Sequence, residues 1–442
     1  MRILLIGAGK STSYLIDYLL EHSHQMQWEV CVADMDIRLA EYKIAGHERA
    51  TAVSFNVHDA EQRADLISAS DMVISMLPAS MHGEVAIDCL RFGRYMITAS
   101  YVSQEMRALD NEVKNKGLIF LNEAGLDPGI DHASAMKIID EVHSNGGKVI
   151  TFKSFCGGLV APESNDNPWG YKFSWNPRNV ILAGQGTAQW LENNQLKFIP
   201  YNRLFTQVET ISIDGYGDFE AYANRDSISY QQQYGLAEVQ TMLRGTLRMP
   251  GYARAWNVFV QLGLTDDTWK LPNWNSISWP KLLRAFLPGS NDIKNELYRF
   301  CGIINDLETQ HKLEWLGIFD ESATVDVSGK TPAQLLQGLL ESKWKLSATD
   351  KDMIVMQHLF ECVDSTSKRY KIISSLVVKG ENQTHTAMAK TVGLPLAICA
   401  RMIAGQKITQ RGVIIPVHPE IYNPLLDELK HYGVSFTEKS VQ

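Results

Sequence analysis

The first 121 residues constrain the fold more than any other part of the chain. Short apolar runs alternate there with helical patterns. The runs fall at 2–6 (RILLI), 29–33 (EVCVA), 50–55, 71–77 (DMVISML), 95–98 and 118–121, and the helical patterns between them at 13–22, 37–45, 59–67, 84–92 and 103–114. Strands joined through single helices pair in parallel, because each helix carries the chain back across the sheet face. The pattern therefore predicts an α/β chain: six βα repeats forming a doubly wound parallel sheet with helices on both faces.

After residue 127 the rhythm changes. An alternating run at 149–156 and β patterns at 207–213 and 219–223, with a Gly-rich turn between, predict a second α+β domain built on an open mixed sheet. From about 252 to 362 the chain reads as mostly helical. The clearest helix is expected at 343–362, with Ser347 and Thr349 as caps and Asp350 and Asp352 favouring its positive end. An apolar helix is expected at 386–404, interrupted at Gly393 and Pro395, with a closing helix at 425–432. The run CGGLVAPESNDNPWGYKFSW at 156–175 suits neither helix nor strand and predicts a long loop forming an active-site wall.

At 442 residues the chain exceeds one core, and 45% hydrophobic with 21% charged content is ordinary globular composition. A net charge of −8 argues against nucleic acid or an anionic membrane held by a global basic field, so an anionic substrate needs a local arginine cluster. The apolar start at 2–7 is too short for a signal sequence or a membrane span. Six cysteines (31, 89, 156, 301, 362, 399) show neither CxxC pairs nor metal spacing, and a reduced, cytoplasmic enzyme without structural metal is expected.

Gly7 and Gly9 follow the first strand and open the first helix, where glycines permit a tight turn and close approach to a pyrophosphate. The expected third small residue is Thr12, so the fingerprint is imperfect. Asp34 ends the second strand, where a carboxylate can hold a ribose 2′-hydroxyl and repels a 2′-phosphate. Neither Met35 nor Asp36 compensates that charge, which favours NAD over NADP. Asp34 can instead cap the following helix, and Arg38 can swing toward a phosphate. Asn56 and Val57, ending the third strand, and Leu77 and Pro78, ending the fourth, sit at the strand ends where such sheets place ligands.

Asp127 precedes Pro128 in the segment joining the sixth strand to a helix. It reads as the helix N-cap, and its position at a strand's carboxyl end also suits it to hold a substrate ammonium or move a proton. Arg225 and Arg248 can each grip a carboxylate bidentately, or serve ion pairs. Cys156 is a reactive thiol or a small buried hydrophobe. Ser100 and Tyr101, past the fifth strand, can reach the same strand-end crevice.

GLDPGIDH at 125–132, the run at 156–175, NRDS at 224–227, RGTLR at 244–248 and TAMAKTVGLPLA at 386–397 together resemble saccharopine reductases, the glutamate-forming saccharopine dehydrogenases. The resemblance implies a Rossmann domain at 1–127, an α+β substrate and dimerisation domain at 128–250, a helical insertion at 251–362, a return segment at 363–390, and a stretch at 391–442 completing the Rossmann domain. It implies a likeness in activity too, interconverting saccharopine with glutamate and 2-aminoadipate 6-semialdehyde by hydride transfer and imine hydrolysis, in a homodimer. Ser100, Tyr101, Asp127, Cys156, Arg225, Thr246, Leu247 and Arg248 would line the substrate site, with Asp127, Tyr101 and Cys156 carrying the chemistry. Lys10, Ser11, Ser100, Leu126, Gly129, Asp131, Lys172 and Ser174 would join the cofactor site. The family uses NADP and carries a basic residue where this chain has Asp34-Met35-Asp36. A carboxy-polyamine dehydrogenase and a silent dinucleotide-binding sensor are the competing expectations.

Overall fold

The computed structural model describes residues 1–441 apart from 184, 273–275, 290 and 291. Those six internal positions, inside the expected second domain and helical insertion, and residue 442 of the C-terminal segment lie outside the described residues. The chain divides into two compact units, 1–149 with 362–442, and 150–361.

In the first unit the strands β1 (Arg2–Ile6), β2 (Glu29–Asp34), β3 (Ala50–Ser54), β4 (Met72–Ser75), β5 (Tyr95–Thr98) and β6 (Ile119–Leu121) alternate with helices. These are α1 (Ser13–Met26), α2 (Ile37–Ile44), α3 (Ala60–Ser68), α4 (His82–Phe92), α5 (Gln104–Ala108), α6 (Asp110–Asn115) and α7 (Ile130–Ser144). Leu4, Ile6, Val73 and Phe120 are fully buried in a core that also takes Val85, Cys89 and Val113 from the helices. Burial on both faces is why these strands read as continuous apolar runs.

The second unit begins within β7 (Lys148–Val160) and continues through α8 (Pro177–Leu182), β8 (Ala188–Glu192), β9 (Gln195–Ile199), β10 (Glu209–Ile213), β11 (Gly217–Ala223), α9 (Tyr230–Gln233), β12 (Thr241–Arg248) and α10 (Tyr252–Gln261). A two-residue strand β13 (Ile277–Ser278), α11 (Trp279–Arg284), α12 (Ile293–Phe300), α13 (Leu307–Trp315), β14 (Thr324–Val325) and α14 (Pro332–Lys343) follow, and the unit ends within β15 (Asp352–Val363). Its sheet runs β10-β11-β12-β7-β15. It is mixed, with β10–β11–β12 antiparallel and β12–β7 parallel.

The chain returns to the first unit with β16 (Arg369–Lys379), α15 (Ala387–Ala404), β17 (Gly412–Ile414), α16 (Pro419–His431) and β18 (Thr437–Val441). β17 joins the parallel sheet beside β6, giving the seven-stranded order β17-β6-β5-β4-β1-β2-β3. β16 and β18 pair antiparallel.

Four local expectations are corrected. Residues 352–362 form a strand, not the end of a helix. The first half of β15 is buried on both faces, which erases the alternation that marks a strand. Asp350 closes a turn by accepting the Ser347 N–H at 2.7 Å, instead of supporting a helix start. Residues 156–160 belong to β7, and the tail of the expected loop is core: Trp169, Tyr171 and Phe173 are fully buried. Trp344 meets Trp169 and Tyr171 edge-on at 5.3 and 5.1 Å, so the run's aromatic content reflects packing.

The 386–404 helix is continuous through Pro395. It is long and apolar enough to span a bilayer, but most of it is buried in the first unit. Gly393 lets it approach α1 so closely that a Cβ there would lie 2.9 Å from the Leu15 nitrogen. Finally, α7, expected in the second domain, belongs to the first unit.

Candidate active site

The carboxyl ends of the parallel strands gather most of the residues of interest in the first unit. Strand order reverses at β1, which lies between β2 and β4, and doubly wound sheets bind ligands at that point. Just past β1, Gly7 has φ +101, and a Cβ there would press on the Met76 carbonyl oxygen at 3.1 Å. Glycine is needed for the turn itself. Gly9 differs, because its backbone is extended and a Cβ would meet no protein atom within 4 Å. Gly9 caps the helical turn at 10–12 and leaves open space beside it, an opening suited to a pyrophosphate. The residues present thus fit a dinucleotide. Lys10 and Ser11 continue this turn, and the Thr12 hydroxyl donates to the Gly9 carbonyl at 2.9 Å.

Asp34 does not cap α2; Asp36 does, accepting the Arg38 N–H at 3.2 Å. Asp34 instead accepts the Ala8 N–H at 2.6 Å and the Asp36 N–H at 2.9 Å, which fixes its carboxylate beside the glycine turn. Arg38 is chelated by Asp36 at 2.8 and 2.7 Å, and this pairing lowers the Asp36 carboxyl below its ordinary range. Met35 is exposed. Lys43, which sequence spacing did not single out, reaches back from α2 to the Gly9 carbonyl and donates to the Thr12 hydroxyl at 2.8 Å. Burial lowers its ammonium to about 8, although Asp17 and Asp34 oppose the shift.

Asn56 follows β3, where its side-chain oxygen accepts the His58 N–H at 3.1 Å, and Val57 is buried. Leu77 and Pro78 follow β4. Between β4 and β5 lies a second group missed in the sequence. The buried His82 ring contacts the Ser75 hydroxyl at 2.9 Å through Nδ1, and the Ser100 and Thr98 hydroxyls at 2.8 and 3.1 Å through Nε2. A single histidine after LPASM carries no spacing signal, because its partners come from two other strand ends.

Tyr101 and Asp127 are brought together, with the phenol donating to Oδ1 at 3.2 Å. Asp127 is not the N-cap of α7. The chain enters that helix through Gly129, at φ +147, where a Cβ would fall 2.1 Å from the Gly125 carbonyl oxygen. Asp131 supports the entry by accepting the Gly129 N–H at 2.6 Å. Asp131 and Leu126 are both buried. Glu123, a non-glycine residue at φ +56, accepts the Val102 N–H at 3.0 Å and pairs with the buried His132 at 2.8 Å. Glu123 thus ties the Ser100–Tyr101 loop to the segment bearing Asp127.

In the second unit Cys156 on β7 is paired in register with Thr246 on β12, and Tyr222 on β11 with the same Thr246. In-register partners share a sheet face, so the three side chains are neighbours. Arg248 lies two residues further along β12, on the same face. It is only 4% exposed and rests against the Tyr171 and Tyr252 rings at 5.2 and 5.3 Å. No carboxylate among the described residues forms an ion pair with it, and its Nε has no hydrogen-bond partner. Burial raises the Tyr171, Tyr222 and Tyr252 phenols, so these three neighbours are uncharged. Leu247 points to the other face and is buried.

Arg225 is exposed, with its backbone in the left-handed region at φ +40. Lys172 is buried and committed to Asp166 and Asp350 at 2.8 and 2.7 Å. Burial would lower its pKa, but those two carboxylates outweigh it and raise it. Ser174 is buried beside it in sequence. All six cysteines are buried thiols, and among the described residues no cluster is placed to hold a metal ion.

Two family models match the chain: the saccharopine dehydrogenase NADP binding domain over residues 3–121, and the saccharopine dehydrogenase C-terminal domain over 125–434. A saccharopine dehydrogenase [NADP(+), L-glutamate-forming] of Pyricularia oryzae is 34% identical over 99% of both chains. The protein of the same description in Saccharomyces cerevisiae is 33% identical over the same shares. The mitochondrial alpha-aminoadipic semialdehyde synthase of Bos taurus is 33% identical over 99% of this chain, which spans 48% of that protein. The solved apo saccharopine dehydrogenase (L-Glu forming) of S. cerevisiae superposes with a TM-score of 0.89 at 32% identity, covering all of both chains.

Proposed function

Because this chain belongs to the saccharopine dehydrogenase family, we propose that it interconverts saccharopine with L-glutamate and 2-aminoadipate 6-semialdehyde. The observation that carries the substrate class is Arg248. Among the described residues this buried guanidinium forms no ion pair; tyrosine rings and the Leu247 carbonyl meet it in part while its Nε stays unpartnered, and a substrate carboxylate in a bidentate grip would supply the missing countercharge. Saccharopine carries three carboxylates, and the exposed Arg225 is available for another.

When bound, the nicotinamide supplies the hydride acceptor or donor. The protein's part is to hold and deprotonate the substrate. The secondary amine must be unprotonated before the neighbouring carbon can be oxidised to an imine, which water then hydrolyses. The Asp127 carboxylate, oriented by the Tyr101 hydroxyl at 3.2 Å, is suited to position that amine or the hydrolytic water. Cys156 offers a small, weakly polar surface beside Thr246.

We further propose NAD as the preferred cofactor, in contrast to the NADP named for the fungal relatives. Asp34 is fixed by two backbone N–H groups at the end of β2, and Arg38 is occupied by Asp36. A 2′-phosphate there would meet the Asp34 carboxylate, with Arg38 already paired to Asp36 and Lys43 turned onto the glycine turn. The test follows cofactor absorbance with saccharopine, then with carboxy-polyamines, using NAD and NADP in turn. Inactivity on saccharopine with both cofactors would overturn the reaction, and a strong NADP preference would overturn the reading of Asp34.

A further inference from the structure

Lys43 has no task in the chemistry above and lies in no motif, yet its ammonium sits at the glycine turn. It reaches from the last turn of α2 to the Gly9 carbonyl and donates to the Thr12 hydroxyl at 2.8 Å. Lys43 completes a clamp that β2 and α2 place on that turn. The Gly7 N–H donates to the Ala33 carbonyl at 2.8 Å, and the Ala8 N–H to the Asp34 carboxylate at 2.6 Å. The Gly9 carbonyl then takes the Lys43 ammonium, the Thr12 hydroxyl at 2.9 Å and the Thr12 N–H at 3.3 Å. A carboxylate and an ammonium from one strand–helix unit thus hold an N–H and a C=O of the same short turn.

Donors gathered on the Gly9 oxygen set the direction of the amide that follows. A trans peptide keeps its N–H opposite its C=O, so the Lys10 N–H points away from Lys43. At ψ −170 the Lys10 nitrogen is anti to Gly9's own nitrogen, which puts it on the side where a Gly9 Cβ would stand. That side is open, since such a Cβ would meet no protein atom within 4 Å. The first helical bond runs from the Thr12 N–H to the Gly9 carbonyl, so the Lys10 and Ser11 N–H groups have no carbonyl within the helix to meet. Amides so placed suit a phosphate.

We propose that Lys43 is a positioning residue of the dinucleotide site: by holding the Gly9 carbonyl it aims the Lys10 amide at the bound pyrophosphate, and its positive charge favours the same anion. This role rests on the dinucleotide reading of the glycine turn. It is independent of the substrate and of the choice between NAD and NADP, because both carry the same pyrophosphate.

The clamp depends on the ammonium's charge. Burial lowers Lys43 to about 8, against the opposing effects of Asp17 on α1 and Asp34 on β2. Asp17 is itself paired with His385 at 2.9 Å, and β3, also packed on α2, carries no ionisable side chain. A bound pyrophosphate favours the protonated lysine, so affinity is full below about pH 8 and falls as pH rises through that value.

Titration of NAD, NADP and ADP-ribose into wild type, Lys43→Met and Lys43→Arg tests this role. At pH 7 Lys43→Met should weaken all three ligands by about tenfold, the low end of the worth of a hydrogen bond to a charged group. Between pH 7 and 9.5 the wild-type Kd should rise by about the same factor, while that of Lys43→Met stays flat. Lys43→Arg, whose charge does not titrate there, should bind more tightly than Lys43→Met and show no step. A loss confined to NADP would place Lys43 on the 2′-phosphate and overturn the proposal. Unchanged affinity in Lys43→Met, or the same pH step in wild type and variant, would reduce Lys43 to a packing residue and overturn it as well. Failure of wild type to bind any of the three would defeat the dinucleotide reading itself, a result distinct from a variant that binds normally. Should Lys43→Met fail to fold, the pH profiles of wild type and Lys43→Arg still decide the matter, because an equal step in both would refute it.

Discussion

Gly7 and Gly9 sit two residues apart in one turn, yet adding a methyl group should act on them through different channels. At Gly9 the backbone is extended at φ −67, and a Cβ would contact no protein atom within 4 Å. Gly9→Ala should therefore fold with wild-type stability, to within about 0.5 kcal/mol, as expected of a substitution that touches nothing. If a pyrophosphate occupies that space, the methyl meets it. An overpacked contact costs about 1–3 kcal/mol, which at 1.4 kcal/mol per tenfold weakens dinucleotide binding by about 5- to 140-fold.

Gly7→Ala should behave in the opposite way. At φ +101 any side chain is strained by about 1–3 kcal/mol, and the Met76 carbonyl at 3.1 Å tightens the site further. The loss should appear in the unfolding free energy itself. Urea denaturation reports the first quantity, and dinucleotide titration by quenching of intrinsic fluorescence reports the second. Wild-type dinucleotide affinity in a stable Gly9→Ala would refute the placement of the pyrophosphate over Gly9, and with it the cradle reading.

Three further outcomes are expected. Asp34→Asn removes the charge at the end of β2 while keeping an acceptor oxygen, so the ratio of kcat/KM for NADP over NAD should rise about 10- to 100-fold, the range of a partly screened charge–phosphate repulsion; an unchanged ratio would show that specificity lies elsewhere. Asp127→Ala should lower kcat by about 100- to 10,000-fold, as loss of a proton-moving group does, and Tyr101→Phe by about tenfold through one lost hydrogen bond; preserved turnover in Asp127→Ala would remove it from the chemistry. Lys172→Met should destabilise by about 3 kcal/mol, because it strands the largely buried Asp350 carboxylate. In the intact protein Lys172 holds the Asp350 carboxyl below its ordinary range against the opposing effect of burial. That stability is full above about pH 4, the unfolded value, and is lost as pH falls through the lower folded value, so acid unfolding of wild type and Asp350→Asn should converge at low pH.

How much could be read in advance depended on the range of the interactions involved. The parallel sheet was legible because its central strands bury both faces and each connecting helix is local, so Leu4, Val73 and Phe120 announce themselves as apolar runs. The glycine turn and Asp34 were legible for the same reason, since one strand and its loop define them. β15 was misread as helix because its core half is buried on both sides and offers no alternation. The 156–175 run read as a long active-site loop, because sequence cannot show that Trp169 and Tyr171 close on Trp344, far along the chain. His82 and Lys43 gave no signal at all: each acquires its role from atoms contributed by other elements.

The sequence alone determined the α/β class, the cofactor turn and the family, because these follow from local periodicity and from long motifs kept in order. Only the tertiary structure decided which charges are committed and which are open. Asp36 takes Arg38, and Asp166 with Asp350 takes Lys172, while Arg248 is buried among tyrosines and forms no ion pair among the described residues. Composition counts such charges without pairing them. Whether a buried ion is satisfied depends on contacts of a few ångströms between residues distant in sequence, and those distances are fixed only when the chain packs.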